Sequence, residues 1–197
     1  MYSINPSALN ERENYKFLIG SIVPRPIAFV TTLSSEGILN AAPFSFFSIV
    51  SSNPPLISVS VQRREGKQKD TARNIVAVQE FVVHIVDESI LQQVNKTAAT
   101  LPSTESEVAL TDLTPIASSV IAVPGIKEAK IRLECTLEQV VDLDGCDLII
   151  GKVVHYHIEK SIYENGRIDH VGLGAVSRLA GNDYAKIGDV FTIARPK

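Results

Sequence analysis

Residues 130–142 (KIRLECTLEQVVD) carry the pattern that most restricts how this chain can fold. Ile131, Leu133, Cys135 and Leu137 recur at every second position, with Lys130, Arg132, Glu134, Thr136 and Glu138 between them. That period belongs to a strand with one buried and one polar face. Asp144-Gly145 follows as a tight-turn pair, and residues 148–159 are strand-like again. A long hairpin is the consequence. Folded about Asp144-Gly145, it sets Cys135 opposite Val154, and His155 and His157 opposite Glu134 and Arg132 on the polar face. Cys146 then lies beside the turn, too far along the sheet from Cys135 for a disulfide.

Further strand signals surround this hairpin. Residues 25–33 (RPIAFVTTL) are β-branched and aromatic, and Ser34-Ser35-Glu36-Gly37 ends them in a turn. Residues 38–50 form a second extended run, closed by Asn53-Pro54-Pro55. Residues 56–62 (LISVSVQ) alternate, and residues 80–86 (EFVVHIV) are apolar on both faces except for His84. Helical patterns are fewer: residues 10–19, residues 70–79 with Asp70 or Thr71 as N-cap, and residues 88–99. Residues 97–106 read as an exposed loop. Many strands with short turns and a few helices predict a mainly β fold, an antiparallel barrel or sandwich with helical insertions. With 197 residues, 45% of them hydrophobic, the chain can bury a proper core as one domain over 1–197.

Several functions are excluded early. Nineteen basic against twenty-two acidic residues give a net charge of −3, without the basic face that nucleic-acid binding needs. Without tryptophan, base-stacking platforms are poorly supplied. No apolar run approaches the ~20 residues of a membrane helix, and the polar residues 1–13 do not read as a signal peptide. A soluble cytoplasmic protein is expected. Neither a P-loop nor a G-x-S-x-G elbow occurs, and Gly172-Leu173-Gly174 lacks the strand–helix context of a dinucleotide site.

The histidines offer two readings. His155 and His157 have possible metal-ligand spacing. With no Cys or His pair near them in sequence, solvated or sheet-rim histidines are the preferred reading, and no metal site is expected. His84, in an apolar strand, reads as a hydrogen-bonded core histidine.

Two constellations remain. Arg63, Arg64, Lys67 and Lys69 fall between the LISVSVQ strand and the helix opening at Asp70-Thr71. A basic loop at a helix N-terminus makes a phosphate pocket, with Thr71 as a hydroxyl donor; a merely solvated cationic loop is the level alternative. Asn40-Ala41-Ala42-Pro43-Phe44-Ser45-Phe46-Phe47 combines small residues, an amide and a hydroxyl that a flat ring could approach. Phe44, Phe46 and Phe47 can line such a ring or fill the core, and taken alone core packing is the preferred reading.

Taken in order, these pieces resemble the flavin reductase-like family with the FMN-binding split-barrel fold. The matching stretches are Pro24-Arg25-Pro26-Ile27-Ala28, Asn40-Ala41-Ala42-Pro43-Phe44-Ser45-Phe46-Phe47, Asn53-Pro54-Pro55-Leu56 and Lys69-Asp70-Thr71-Ala72-Arg73-Asn74-Ile75. Glu80-Phe81-Val82-Val83, Leu133-Glu134-Cys135, Gly151-Lys152-Val153 and Arg178-Leu179-Ala180-Gly181-Asn182-Asp183-Tyr184 complete the set. Single pieces are weak, but their order and spacing are specific.

The resemblance implies a six-stranded antiparallel split barrel and a homodimer holding FMN near the subunit interface, with FAD as an alternative, substrate flavin. It implies that Lys69, Asp70 and Thr71 hold the phosphate with Arg63, and that Ser60 lies beside the ribityl chain. Backbone groups of Asn40, Ala41 and Ala42 would read the polar edge of the ring near Ser45, with Thr31 and Thr32 on its other side. Hydride chemistry then occurs on the flavin and needs no catalytic side chain. NAD(P)H is the expected donor, and free flavin, another small molecule or a protein the acceptor. Many short family members carry a Gly-Asp-His triplet in the turn that here reads Asp144-Gly145-Cys146-Asp147. The match is therefore closer to the flavoredoxin-like branch, and an FMN electron carrier fed by a protein partner is the second reading.

Overall fold

The computed structural model describes residues 1–196. The first helix, α1 (Glu11–Ser21), begins at Asn10, whose side chain accepts from the Glu13 N–H while the Glu13 carboxylate accepts from the Asn10 N–H, at 3.0 and 2.9 Å. This reciprocal pair satisfies two donors that a helix end leaves open. Next come β1 (Arg25–Pro26), β2 (Ala28–Leu33), β3 (Leu39–Phe44), β4 (Phe47–Ser52), β5 (Pro55–Gln62), α2 (Asp70–Val78), β6 (Glu80–Ile85) and α3 (Leu91–Lys96). A short pair, β7 (Pro115–Ile116) and β8 (Gly125–Ile126), precedes the long hairpin of β9 (Ile131–Leu143) and β10 (Cys146–Ile158). The chain continues through β11 (Tyr163–Glu164), β12 (Arg167–Ile168), α4 (His170–Leu173), β13 (Val176–Arg178) and β14 (Tyr184–Lys186).

The main sheet has the order β3-β2-β6-β9-β10-β5-β4, antiparallel throughout. Its two edge strands are consecutive in the chain, separated only by Ser45 and Phe46. So short a link between opposite edges requires the sheet to curl, and Phe46 O accepts from Ser60 N of β5 at 2.8 Å across the gap. The sheet has seven strands where six were expected. The extended run over 38–50 is not one strand: it breaks at Ser45-Phe46, where the chain leaves one edge and joins the other.

Register in the hairpin differs from a simple fold-back by two irregularities that cancel. Cys135 pairs with Val153, not Val154, because one strand gains an extra residue beside Ile150/Gly151. A second shift at Val153/His155 restores the count, so His155 faces Glu134 and His157 faces Arg132 as expected. Cys135 and Cys146 are both free thiols. Gly151 sits under the ring of Phe81: a Cβ there would lie 2.2 Å from Phe81 Cζ.

One apolar cluster fills the curled sheet with Ala28, Val30, Val61, Phe81, Val83, Leu133 and Ile149, closed by Ala72 and Ile75 of α2. A second lies outside it, joining Phe29 and Ala41 to Val94 of α3, Val108 and Ile126. β2 is therefore buried on both faces. His84 is packed there, donating from Nδ1 to Phe29 O and accepting at Nε2 from Ile126 N, each at 2.8 Å. Burial pushes its pKa down to about 4, aided by Arg132 and opposed by the Phe29 carbonyl, so it is a neutral core group.

Local chemistry moved three boundaries. The N-cap of α2 is Lys69, not Asp70 or Thr71, because Thr71 bonds Asn40 and Asp70 pairs with Arg73. The helix expected over 88–99 is only Leu91–Lys96: Asp87 Oδ1 takes the Ser89 N–H and hydroxyl and holds the preceding turn. Thr97, assigned to an exposed loop, is buried, with its hydroxyl on Val94 O at 2.7 Å. Among the described residues no helix is long and apolar enough to cross a membrane.

Candidate functional site

A cleft of about 360 Å³ opens between β3, the start of α2 and the loop over 97–101. Its size suits a small organic ligand. The basic segment enters it as a tight hairpin, Arg64 N and Lys67 N exchanging bonds with the opposite carbonyls at 3.0 and 2.9 Å. Glu65 and Gly66 at its tip have φ of 52° and 73°, the left-handed pair that a two-residue reversal requires. Arg64 Nη1 reaches Thr100 Oγ1 at 3.0 Å, tying the hairpin to the 97–101 loop.

Lys69 then delivers the chain to α2, whose first turn has no side-chain cap. The first N–H groups are left without a side-chain partner, and the helix dipole adds partial positive charge there. Burial lowers the Lys69 pKa from its ordinary value and Arg64 lowers it further. Across the cleft, β3 contributes Asn40, Ala42, Pro43 and Phe44. Of the residues named from the sequence, Asn40, Ala42, Lys69, Asp70 and Thr71 are thus brought together around one cleft.

The other expected residues lie elsewhere. Thr31 is fully buried with its hydroxyl on Pro124 O at 2.7 Å, and Thr32 is buried behind Asn40. The Ala41 N–H is engaged by Glu107 Oε2 at 3.1 Å. Ser45 lines a neighbouring cleft of about 390 Å³ with Arg178 and Tyr184, and Arg25 Nε approaches it at 3.5 Å. Ser60, on β5, accepts from Gln62 Nε2. Arg63 turns back toward the β9–β10 turn: Nη2 meets Asp147 at 2.6 Å and Asp142 at 2.9 Å. Arg63 in turn holds the Asp147 carboxyl below its ordinary pKa against the effect of burial, with help from Gln68.

Glu107 was not anticipated. It opens a 3-10 turn (Glu107–Leu110), is 6% exposed and lines the cleft. Both oxygens accept from Asn40 Nδ2, at 2.9 and 3.0 Å. Asn40 Oδ1 accepts from Thr71 Oγ1 at 2.9 Å and Thr32 Oγ1 at 3.3 Å, and Asn74 Nδ2 donates to Thr32 at 3.2 Å. Burial raises the Glu107 pKa despite its bonds to Ala41 and Asn40, and Asp70 adds repulsion. No local signal marks this residue, which lies 67 positions from Asn40 in the chain.

A second buried carboxylate lies on the hairpin face expected to be polar. Glu134 is 1% exposed, because the 117–124 segment covers it. It accepts from Ser119 N at 2.6 Å, Val120 N at 2.8 Å and His157 Nε2 at 2.5 Å. His155 and His157 are half-buried with ring centroids 4.8 Å apart. Arg178 lies over the Tyr184 ring at 4.5 Å and bonds its hydroxyl and Gly181 O, so both form a wall of the neighbouring cleft.

Known proteins align with this architecture. A family model, the flavin reductase like domain, matches residues 19–172. YwrF, an uncharacterised protein of Bacillus subtilis (strain 168), is 52% identical, with all of both chains covered. The structure of nitrilotriacetate monooxygenase component B from Bacillus cereus superposes with a TM-score of 0.97 at 56% identity, covering 98% of each chain. Pseudomonas fluorescens 2-nitrobenzoate 2-nitroreductase gives a TM-score of 0.91 at 31% identity, covering 99% of this chain and 96% of that one. By sequence and fold this chain belongs to the flavin reductase-like domain family and is a flavin-related oxidoreductase.

Proposed function

We propose that this chain binds FMN in the cleft between β3 and α2 and acts as an NAD(P)H-dependent flavin reductase, delivering electrons to free flavin or another acceptor. The observation that carries this reading is the meeting of an uncapped helix N-terminus and Lys69 with a strand of small residues on the opposite wall. A phosphorylated ligand with a flat ring needs an anion site at one end and a low, mostly apolar wall at the other. The α2 first-turn amides and Lys69 would hold the phosphate, with Arg64 and Lys67 adding positive field. Ala42 and Pro43 would leave room for the ring. FMN, when bound, supplies hydride exchange at its N5. The chain's own work is to bind, orient and shield it, and no side chain need act as acid or nucleophile.

Relatives named as a monooxygenase component and as a nitroreductase support a role in supplying electrons. We further propose a homodimer. β4 is a sheet edge, and beside it runs an uncharged groove of about 590 Å³ lined by Phe47, Ile49, Leu56 and Tyr156. Ile49 is 80% exposed, and Phe191 in the C-terminal segment equally so. Surfaces of this kind are seldom left to water in a monomer, and a second copy is the assigned partner.

The test is an absorbance spectrum of the FMN-loaded protein before and after anaerobic NADH or NADPH. Bleaching of the flavin bands supports the reductase. Bands that persist with both nicotinamides but are bleached by a reduced protein donor favour the electron carrier, and no retained flavin overturns the site. Light scattering that returns a monomer mass with FMN bound overturns the dimer.

A further inference from the structure

We infer that Glu107 is a positioning residue for this cleft: as an acceptor-only carboxylate it sets the direction of every hydrogen bond along the wall made by Asn40, Thr71, Thr32 and Asn74. The inference deepens the FMN reading and rests on it for the ligand alone.

A carboxylate cannot donate. With both Glu107 oxygens within 3.0 Å of one end of the Asn40 amide, that end must be the NH2 group. Oδ1 then points the other way, and an amide oxygen can only accept. The Thr71 hydroxyl proton is therefore committed to Asn40 Oδ1, as is that of Thr32, and Thr32 can take the Asn74 N–H on its lone pair. Every donor in the row runs toward Glu107. Two consequences reach the ligand. The first residues of α2 are tied through Thr71 to β3, so both walls of the cleft hold a common geometry. The Thr71 hydroxyl also gives no proton to an anion, which leaves phosphate to the helix amides and Lys69.

Protonation of Glu107 would weaken this arrangement, since a carboxylic acid keeps only its carbonyl oxygen as a full acceptor for the Asn40 NH2, while the proton on its other oxygen faces donors that cannot accept it. The charged groups around Glu107 set where that happens. Asp70 of α2 raises its pKa, while Arg64, Glu65, Lys67 and Lys69 line the same cleft from the basic hairpin.

The experiment follows the Ala41 backbone and Asn40 side-chain amides by NMR in flavin-free protein from pH 4 to 8. Wild type, Glu107→Gln and Glu107→Asp are compared, and FMN is titrated into each at both ends of the range. In wild type both resonances should shift in one titration above the ordinary carboxylate range. The step should vanish in Glu107→Gln and return in Glu107→Asp. FMN binding should weaken about tenfold in Glu107→Gln and lose its pH dependence, a neutral amide being unable to impose the polarity. Amides that titrate identically without Glu107, or a Glu107→Gln protein with the wild-type FMN affinity and pH profile, overturn the inference. Should Glu107→Gln not fold, the wild-type and Glu107→Asp titrations decide: no step in Asn40 and Ala41 overturns it. A wild-type protein that shows the step but binds no FMN overturns the ligand reading and leaves the role of Glu107 standing.

Discussion

Two carboxylates, Glu107 at the cleft and Glu134 under the 117–124 segment, are almost equally hidden from water, yet burial acts on them with opposite net results. For Glu134, burial alone would raise the pKa, but the Ser119 amide, His157 and the Val120 amide together outweigh it and lower it. Glu107 has one backbone amide and an uncharged side-chain amide, with Asp70 repelling it, and burial wins. Backbone N–H groups and a chargeable imidazole stabilise the anion; a neutral amide beside another carboxylate does not do so enough. Glu134 reads as a clamp that fastens a loop to the sheet, Glu107 as a strained charge kept where a ligand would sit.

On that contrast, Glu134→Ala should be the more damaging change. It strands two backbone amides and His157, and should cost about 3–5 kcal/mol in urea unfolding. Glu107→Ala losing as much would break the comparison.

Acid should separate the two groups by sign. Glu107, raised above the ordinary 4.5, takes its proton in the folded chain first, so its contribution becomes more favourable as pH falls toward 4.5. Glu134 keeps its charge below 4.5, and its stabilisation is lost as pH falls through its folded value. His84, lowered from 6.5 to about 4, adds a loss on the order of 3 kcal/mol between pH 7 and 4, because the unfolded chain protonates first. Stability measured against pH should therefore fall from 7 to 4 in wild type and fall more steeply in Glu107→Gln.

The remaining two changes divide scaffold from cleft. Gly151→Ala pushes a methyl into the Phe81 ring and should destabilise by about 1–3 kcal/mol, with FMN affinity of the folded protein retained. Lys69→Ala should do the reverse: about tenfold weaker FMN binding by titration, with stability within about 0.5 kcal/mol of wild type. A Lys69→Ala protein with unchanged affinity would move the phosphate elsewhere. Arg63→Ala sharpens the same division, since Arg63 is held by Asp147 and Asp142, and its loss should loosen the hairpin end more than the ligand.

The chain alone determined what is local. Alternation over residues 130–142 and the Asp144-Gly145 pair specify the hairpin and even its far register, because side-chain period and turn length act between neighbours. The polar and basic residues around Asp70 likewise announce a helix start, one residue from where its N-cap falls at Lys69. Tertiary structure decided the rest. The 38–50 run reads as one strand until Ser45-Phe46 must bridge two edges of a curled sheet. Glu134 reads as a polar-face residue until a segment more than a dozen residues earlier covers it. Glu107 becomes part of the cleft only because β3 lies beside its 3-10 turn, 67 residues from its partner. Burial and hydrogen-bond direction depend on which distant groups the fold brings together, and no window of sequence contains that sum.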